Sequence, residues 1–149
     1  MVDSAILASK LAAIRDAVTR IRATLPESPG RFESDRTARE IVTLNLFVAI
    51  QECLALATHW LADEGWDVPK TYGEAFSVLA DRGILERSLA DRLRAAAGLR
   101  NLIAHRYGIL DPARLFEFAS SGTSDLLAFG EQLARHAQRG GSKDSGAAD

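Results

Sequence analysis

The chain has 149 residues, 47% of them hydrophobic and 26% charged, with a formal net charge of −2. Those values describe one soluble globular domain, able to bury roughly 70% of its unfolded surface without staples. The slight negative charge excludes a general attraction to nucleic acid, and the single cysteine, Cys53, excludes an intramolecular disulfide and points to a reducing, cytoplasmic setting.

Asp3, Lys10, Arg15 and Asp16 interrupt the N-terminal apolar pattern, so no secretion signal is expected. A first helix is predicted over about 4–25, because Ile6, Leu7, Leu11, Ile14, Val18, Ile21 and Leu25 recur at helical spacing. Pro26 and the Pro29-Gly30 pair are expected to end it. A second helix is predicted over about 35–64, capped by Ser34 or Asp35 and closed by Gly65. Its stretch from Ile41 to Ala62 is apolar nearly all round and almost long enough to span a bilayer. Asn45, Gln51, Glu52 and His59 make insertion costly, so a helix enclosed by others or by a partner chain is expected, and no membrane. Gln51 and Glu52 are expected to face a cleft or a dimer seam, and Cys53 to be a buried, inert thiol.

Thr71-Tyr72-Gly73-Glu74 has the T-x-x-E capping pattern and should open a short helix, which Gly83 stops. Ser88 is expected to cap a fourth helix carrying Leu89, Leu93, Ala96, Leu99 and Ile103, ended by Gly108. Asp111-Pro112 reads as a cap followed by proline at the first helical position of a fifth helix, with Ser120-Ser121-Gly122 kinking or loosening it. The expectation is an all-α, up-and-down bundle of four to five helices, with one domain over 1–139 and a disordered Gly/Ser-rich tail over 140–149. Trp60, Trp66 and Tyr72 are assigned to core or interface.

The informative stretch is Arg100-Asn101-Leu102-Ile103-Ala104-His105-Arg106-Tyr107. An arginine can clamp a phosphate through a forked pair of charged hydrogen bonds, and a histidine can move a proton near neutral pH. Together they suffice in principle to cleave RNA without a metal. Between Arg82 and Arg114 there are seven arginines and three acids, a local excess of +4 around this stretch. Solvated helix pairs such as Arg87 with Asp91 and Asp91 with Arg94 would equally account for those charges. In a straight helix, residues five apart differ by about 140° and about 7.5 Å, so Arg100 and His105 do not share a face, whereas Asn101 and His105 do. Asn101 could hold the imidazole or contact substrate. Pairing two copies of the helix across a two-fold axis would let each cleft draw groups from both chains. A helix-end His and Arg and a Tyr packed with its hydroxyl wet are the structural alternatives. His59 and His136 are too scattered to join His105 at a metal, no C-x-x-C or H-E-x-x-H pattern occurs, and neither metal nor cofactor is expected.

R-x4-H-x-Y, here Arg100 to Tyr107, resembles the signature of the HEPN superfamily and of its HepT branch. The P-x-T-Y-G-E-A-F-x-x-L stretch (Pro69 to Leu79), the Gly83-Ile84 pair and the R-N-x-x-x-H-x-Y block follow in the HepT order, so the similarity covers about 35–133. The resemblance implies a helical homodimer acting as the ribonuclease toxin of a toxin–antitoxin pair. It implies Arg100 and His105 as the catalytic pair, Asn101 as a supporting neighbour, and Tyr107 as the tyrosine that an MntA-type nucleotidyltransferase antitoxin modifies with AMP. On that reading His105 assists attack of the ribose 2′-hydroxyl on phosphorus and Arg100 neutralises the phosphorane oxygens. The alternative is a non-catalytic bundle that binds nucleotide or substrate for a nucleotidyltransferase.

Overall fold

The computed structural model describes residues 2–71 and 73–145, with side chains described as far as residue 140. Four long helices carry the architecture: α1 (Ser4–Thr24), α3 (Arg36–Asp63), α5 (Arg87–His105) and α7 (Thr123–Ser145). Between them lie the short helices α2 (Pro29–Ser34), α4 (Glu74–Asp81) and α6 (Pro112–Glu117). The described residues contain no strand, as the helical periodicity led one to expect.

α3 is the axis of the bundle. α1 packs along its length, and α4, α5 and α7 cover other sides. Leu46, Ala49, Ile50, Cys53, Leu56, Ala57, Trp60 and Leu61 of α3 are all buried. Each buried leucine or isoleucine side chain stabilises the fold by about 1.5–3 kcal/mol. α3 is long and apolar enough to cross a membrane by length and composition, yet half of its most apolar window is enclosed by the other helices. Burial raises the Cys53 thiol pKa far above the ordinary range, and the adjacent Glu52 carboxylate adds to that shift.

Helix ends follow local chemistry in some places and tertiary partners in others. The Asp3 carboxylate accepts from the Ala5 N–H at 2.7 Å to start α1, and Asp35 accepts from Ala38 at 3.0 Å to start α3. Gly65 (φ 73°) and Gly83 (φ 76°) take the left-handed positions that end α3 and α4. Trp66 then donates to the Leu61 carbonyl, and Ile84 to that of Leu79, both at 2.9 Å.

Several expected boundaries are corrected. Pro29 does not continue the break after α1. It stands at the start of α2, with the Ser28 hydroxyl accepting from Arg31 N–H at 3.2 Å, the arrangement in which proline favours a helix. The T-x-x-E box does not cap α4 through a side chain. α4 begins at Glu74, whose N–H reaches the Thr71 carbonyl at 3.2 Å as a turn. Ser88 lies within the first turn of α5. The cap position is Glu86, whose N–H donates to the Gln132 side chain at 3.0 Å. α5 ends at His105, three residues before Gly108, because Arg106 leaves helical geometry (φ −138°, ψ 38°) and a 3-10 turn follows over Tyr107–Ile109.

Asp111-Pro112 starts α6 as expected, with the Asp111 carboxylate accepting from Ala113 at 3.0 Å. The loosening at Ser120-Ser121-Gly122 is a π-helical segment, Phe118–Gly122. There Ser120 Oγ donates to the Phe116 carbonyl and Ser121 Oγ to the Glu117 carbonyl, each at 2.8 Å. α7 runs on through Gly140-Gly141 to Ser145, past the expected start of the tail. The remainder of that expected disordered tail, 146–149, lies outside the described residues, as does Tyr72.

Candidate active site

The site forms where the C-terminal turns of α5 cross the middle of α3. Arg100 is half-buried there. Its Nε donates to Gln51 Oε1 at 2.8 Å, its Nη1 donates to Asn101 Oδ1 at 3.0 Å, and its guanidinium carbon stands 5.1 Å from the centroid of the Phe47 ring. A cation over an aromatic face is stabilised by about 0.5–2 kcal/mol, and the planar group is held against rotation by bonds on two of its nitrogens. The result is an oriented guanidinium rather than a freely waving surface charge.

Gln51 and Glu52, adjacent in sequence, part company. Gln51 faces α5 and supports Arg100, whereas Glu52 faces α1 and pairs with Lys10 at 2.9 Å. Only Gln51 therefore belongs to the site. Phe47, one helical turn before it, is a site residue that sequence reasoning missed, since an aromatic within an apolar helix carries no signal that distinguishes it from core.

His105 is the last residue of α5 and is exposed. Among the described residues its side chain makes no hydrogen bond, so the imidazole is open to a ligand from solvent. Asn101, expected beside the imidazole, instead gives its carbonyl oxygen to Arg100. Tyr107 follows in the 3-10 turn with 55% of its surface exposed, and Ile109 with 72%. The early end of α5 produces this exposure, because a helix continuing to Gly108 would keep Tyr107 on the α5 cylinder.

Tyr107 also walls a cleft of about 450 Å³ that runs beside the start of α3, with Arg36, Arg39 and Glu40 on its rim and Leu110 and Pro112 below. Arg36 pairs with Glu40 at 2.9 Å, and Arg39 reaches the Glu33 carbonyl. Of the other arginines in the basic stretch, Arg87 pairs with Asp81 and Arg92 with Asp125, in place of the expected Arg87–Asp91 pair. His136 stands edge-on to Trp60 at 5.9 Å, and the described residues contain no cluster of three His, Cys, Asp or Glu that could hold a metal.

α3 presents two neighbouring stripes at this level. Thr43, Phe47 and Gln51 are spaced four apart; Phe47 and Gln51 meet Arg100, and Thr43 lines the Tyr107 cleft. Ile41, Leu44 and Val48 lie roughly a quarter turn away at about 100° per residue, and Leu44 is 62% exposed. An exposed apolar stripe of this kind marks an interaction surface.

Comparison with known proteins gives a consistent result. The family model described as ribonuclease HepT-like matches residues 14–133. The mRNA nuclease HepT of Shewanella oneidensis is 28% identical over 102 residues, covering 68% of this chain and 76% of that protein. Among solved structures, the tri-AMPylated HEPN toxin of Shewanella oneidensis in complex with its MNT antitoxin superposes with a TM-score of 0.82 at 25% identity, over 91% of this chain and 99% of that one. A toxin–antitoxin structure with AMP-PNP gives a TM-score of 0.83 at 23% identity, over 89% of this chain and 99% of that chain.

Proposed function

Because this chain belongs to the HepT-like ribonuclease family, we propose that it is the RNA-cleaving toxin of a toxin–antitoxin pair, with Arg100 and His105 as its catalytic residues. The observation that carries this reading is the guanidinium of Arg100, held by Gln51 and Asn101 in the last turns of α5, with an exposed His105 at the end of the same helix. A non-catalytic bundle would use Arg100 and His105 only to hold a phosphate, and cleavage of a labelled RNA separates the two readings.

The reaction is metal-independent transesterification. His105 takes the proton from a ribose 2′-hydroxyl, the 2′-oxygen bonds to the adjacent phosphorus, and the P–O5′ bond breaks. An imidazolium, in this subunit or its partner, returns a proton to the leaving 5′-oxygen. The products are a 2′,3′-cyclic phosphate and a 5′-hydroxyl end. Arg100 neutralises the phosphorane oxygens, a role that contributes about 10²–10³ in rate, and acid–base catalysis adds about 10²–10⁴. The need for a 2′-hydroxyl confines the chemistry to RNA.

Two copies of the chain pair through the stripe of Ile41, Leu44 and Val48. That stripe adjoins the one that supports Arg100, so a partner seated on it lies next to the Arg100 site. An MntA-type nucleotidyltransferase antitoxin silences the enzyme by joining AMP to the Tyr107 hydroxyl. The solved neighbour from Shewanella oneidensis is a tri-AMPylated HEPN toxin with an MNT antitoxin, and Tyr107 here is exposed beside the cleft. The added phosphodiester repels a substrate phosphate and the nucleoside blocks its path.

The test is incubation of 5′-labelled RNA with purified wild type and His105→Ala. Cyclic-phosphate ends with wild type alone support the proposal. Equal cleavage by both rejects the assignment.

A further inference from the structure

Neither Arg100 nor His105 lines the cleft beside Tyr107. On the nuclease reading, which this inference rests on, the geometry points to a nucleoside subsite, in which the cleft takes the base flanking the scissile phosphodiester and Glu40 reads its exocyclic amino group.

The lining supplies the three features a nucleotide presents. Leu110 and Pro112 give an apolar floor, and the half-exposed Tyr107 ring gives a flat wall for stacking. The Glu40 carboxylate accepts from an amino group such as that of cytosine, adenine or guanine, and the guanidinium groups of Arg36 and Arg39 meet the phosphate. A volume of about 450 Å³ is of the size that takes one nucleoside.

The rim charges are available to a ligand. The Arg36–Glu40 pair joins side chains 83% and 53% exposed. Such pairs contribute little to stability, so exchanging one for ligand contacts costs little. The placement is also apt. Thr43 lines the cleft, and Phe47, which Arg100 covers, lies one turn further along α3, about 6 Å away. A strand whose phosphate sits at Arg100 can therefore pass its neighbouring base along α3 to the cleft, whose wall includes Tyr107, two residues beyond His105.

The experiment uses the full chain, wild type and Glu40→Met, which removes the acceptor and keeps the side chain's length, with circular dichroism to confirm equal helicity. RNA ends are sequenced after brief digestion. In parallel, non-cleavable 2′-O-methyl oligonucleotides that differ only in the flanking base are titrated by fluorescence anisotropy. The expected result for wild type is a preference of about five- to tenfold for an amino-bearing base over uracil, reduced to under about twofold in Glu40→Met. Wild type without a flanking preference, or Glu40→Met retaining it, overturns the subsite. The titration judges the cleft on its own: a chain that binds with this preference but cleaves nothing keeps the subsite and loses the nuclease reading.

Discussion

Gln51 Oε1 accepts the Nε proton of Arg100 at 2.8 Å, across 49 positions of sequence. With Nε engaged and Phe47 beneath the plane, the guanidinium has a fixed heading. Gln51→Ala should lower kcat by about 10- to 100-fold while leaving KM and the thermal midpoint nearly unchanged, because it costs orientation and not charge. Arg100→Ala and Arg100→Lys should both abolish cleavage, since lysine keeps the charge but not the fork. A labelled-RNA assay with circular dichroism on each variant decides the matter. Full activity in Gln51→Ala would show that Arg100 needs no support.

The apolar stripe on α3 predicts a dimer. Leu44→Glu places a charge at its most exposed position, where a dimer seam would desolvate it. Sedimentation velocity should show wild type at twice the monomer mass and Leu44→Glu as a folded monomer with at least about tenfold lower nuclease activity. A fully active monomer would remove the partner from the cleft.

Tyr107 predicts a mass signature. Protein produced together with its nucleotidyltransferase should carry whole AMP increments on the peptide containing Tyr107, and Tyr107→Phe should take up none. Increments on another residue would relocate the switch.

Two glycines in the last third of the chain should behave oppositely. A Cβ at Gly122 would stand 2.7 Å from two carbons of the Phe118 ring and 3.0 Å from Cγ at its root, whereas at Gly130 it would meet only the tip of Leu11, at 2.8 Å. A rigid ring cannot yield as a leucine methyl can. Gly122→Ala should destabilise by about 1–3 kcal/mol, and Gly130→Ala should be near neutral, because helix propensity returns up to about 1 kcal/mol. Thermal melts should separate the pair by several degrees.

Cys53 gives stability a pH dependence. Its thiol, raised by burial, keeps its proton in the folded chain where the unfolded chain has lost it. Unfolding then releases a proton above the ordinary thiol value of about 8.5, so stability is full below that value and falls as pH rises beyond it. Cys53→Ala should show a smaller loss of melting temperature between pH 8 and 10 than wild type. Iodoacetamide should label Cys53 only after denaturant is added.

Features written in neighbouring residues were readable from sequence, and those depending on distant partners were not. Asp35 before α3, Gly65 after it and Asp111-Pro112 before α6 act within one turn, and each stands where its chemistry placed it. Glu86 starts α5 because Gln132, 46 residues on, receives its N–H, so the nearer Ser88 was the wrong choice. The Pro29-Gly30 pair suits a break and a helix start alike, because proline both ends and begins helices and only packing decides which; buried Phe32 anchors α2. The octapeptide is visible in the sequence as a cluster of arginine, histidine and tyrosine, but the partition of Gln51 from Glu52 and the hold on Arg100 come from the crossing of α3 and α5.

The quarter-turn offset between the two stripes of α3 has a consequence for how the gene can change. A single codon inserted between Ile41 and Gln51 would swing everything beyond it by about 100°, parting the exposed apolar stripe from the surface that steadies the guanidinium. Shortening by one codon would do the same in the other sense. Substitutions along this rod can be absorbed one at a time, whereas changes in its length cannot, so indels among descendants of this sequence should collect in the connections and spare the central helix.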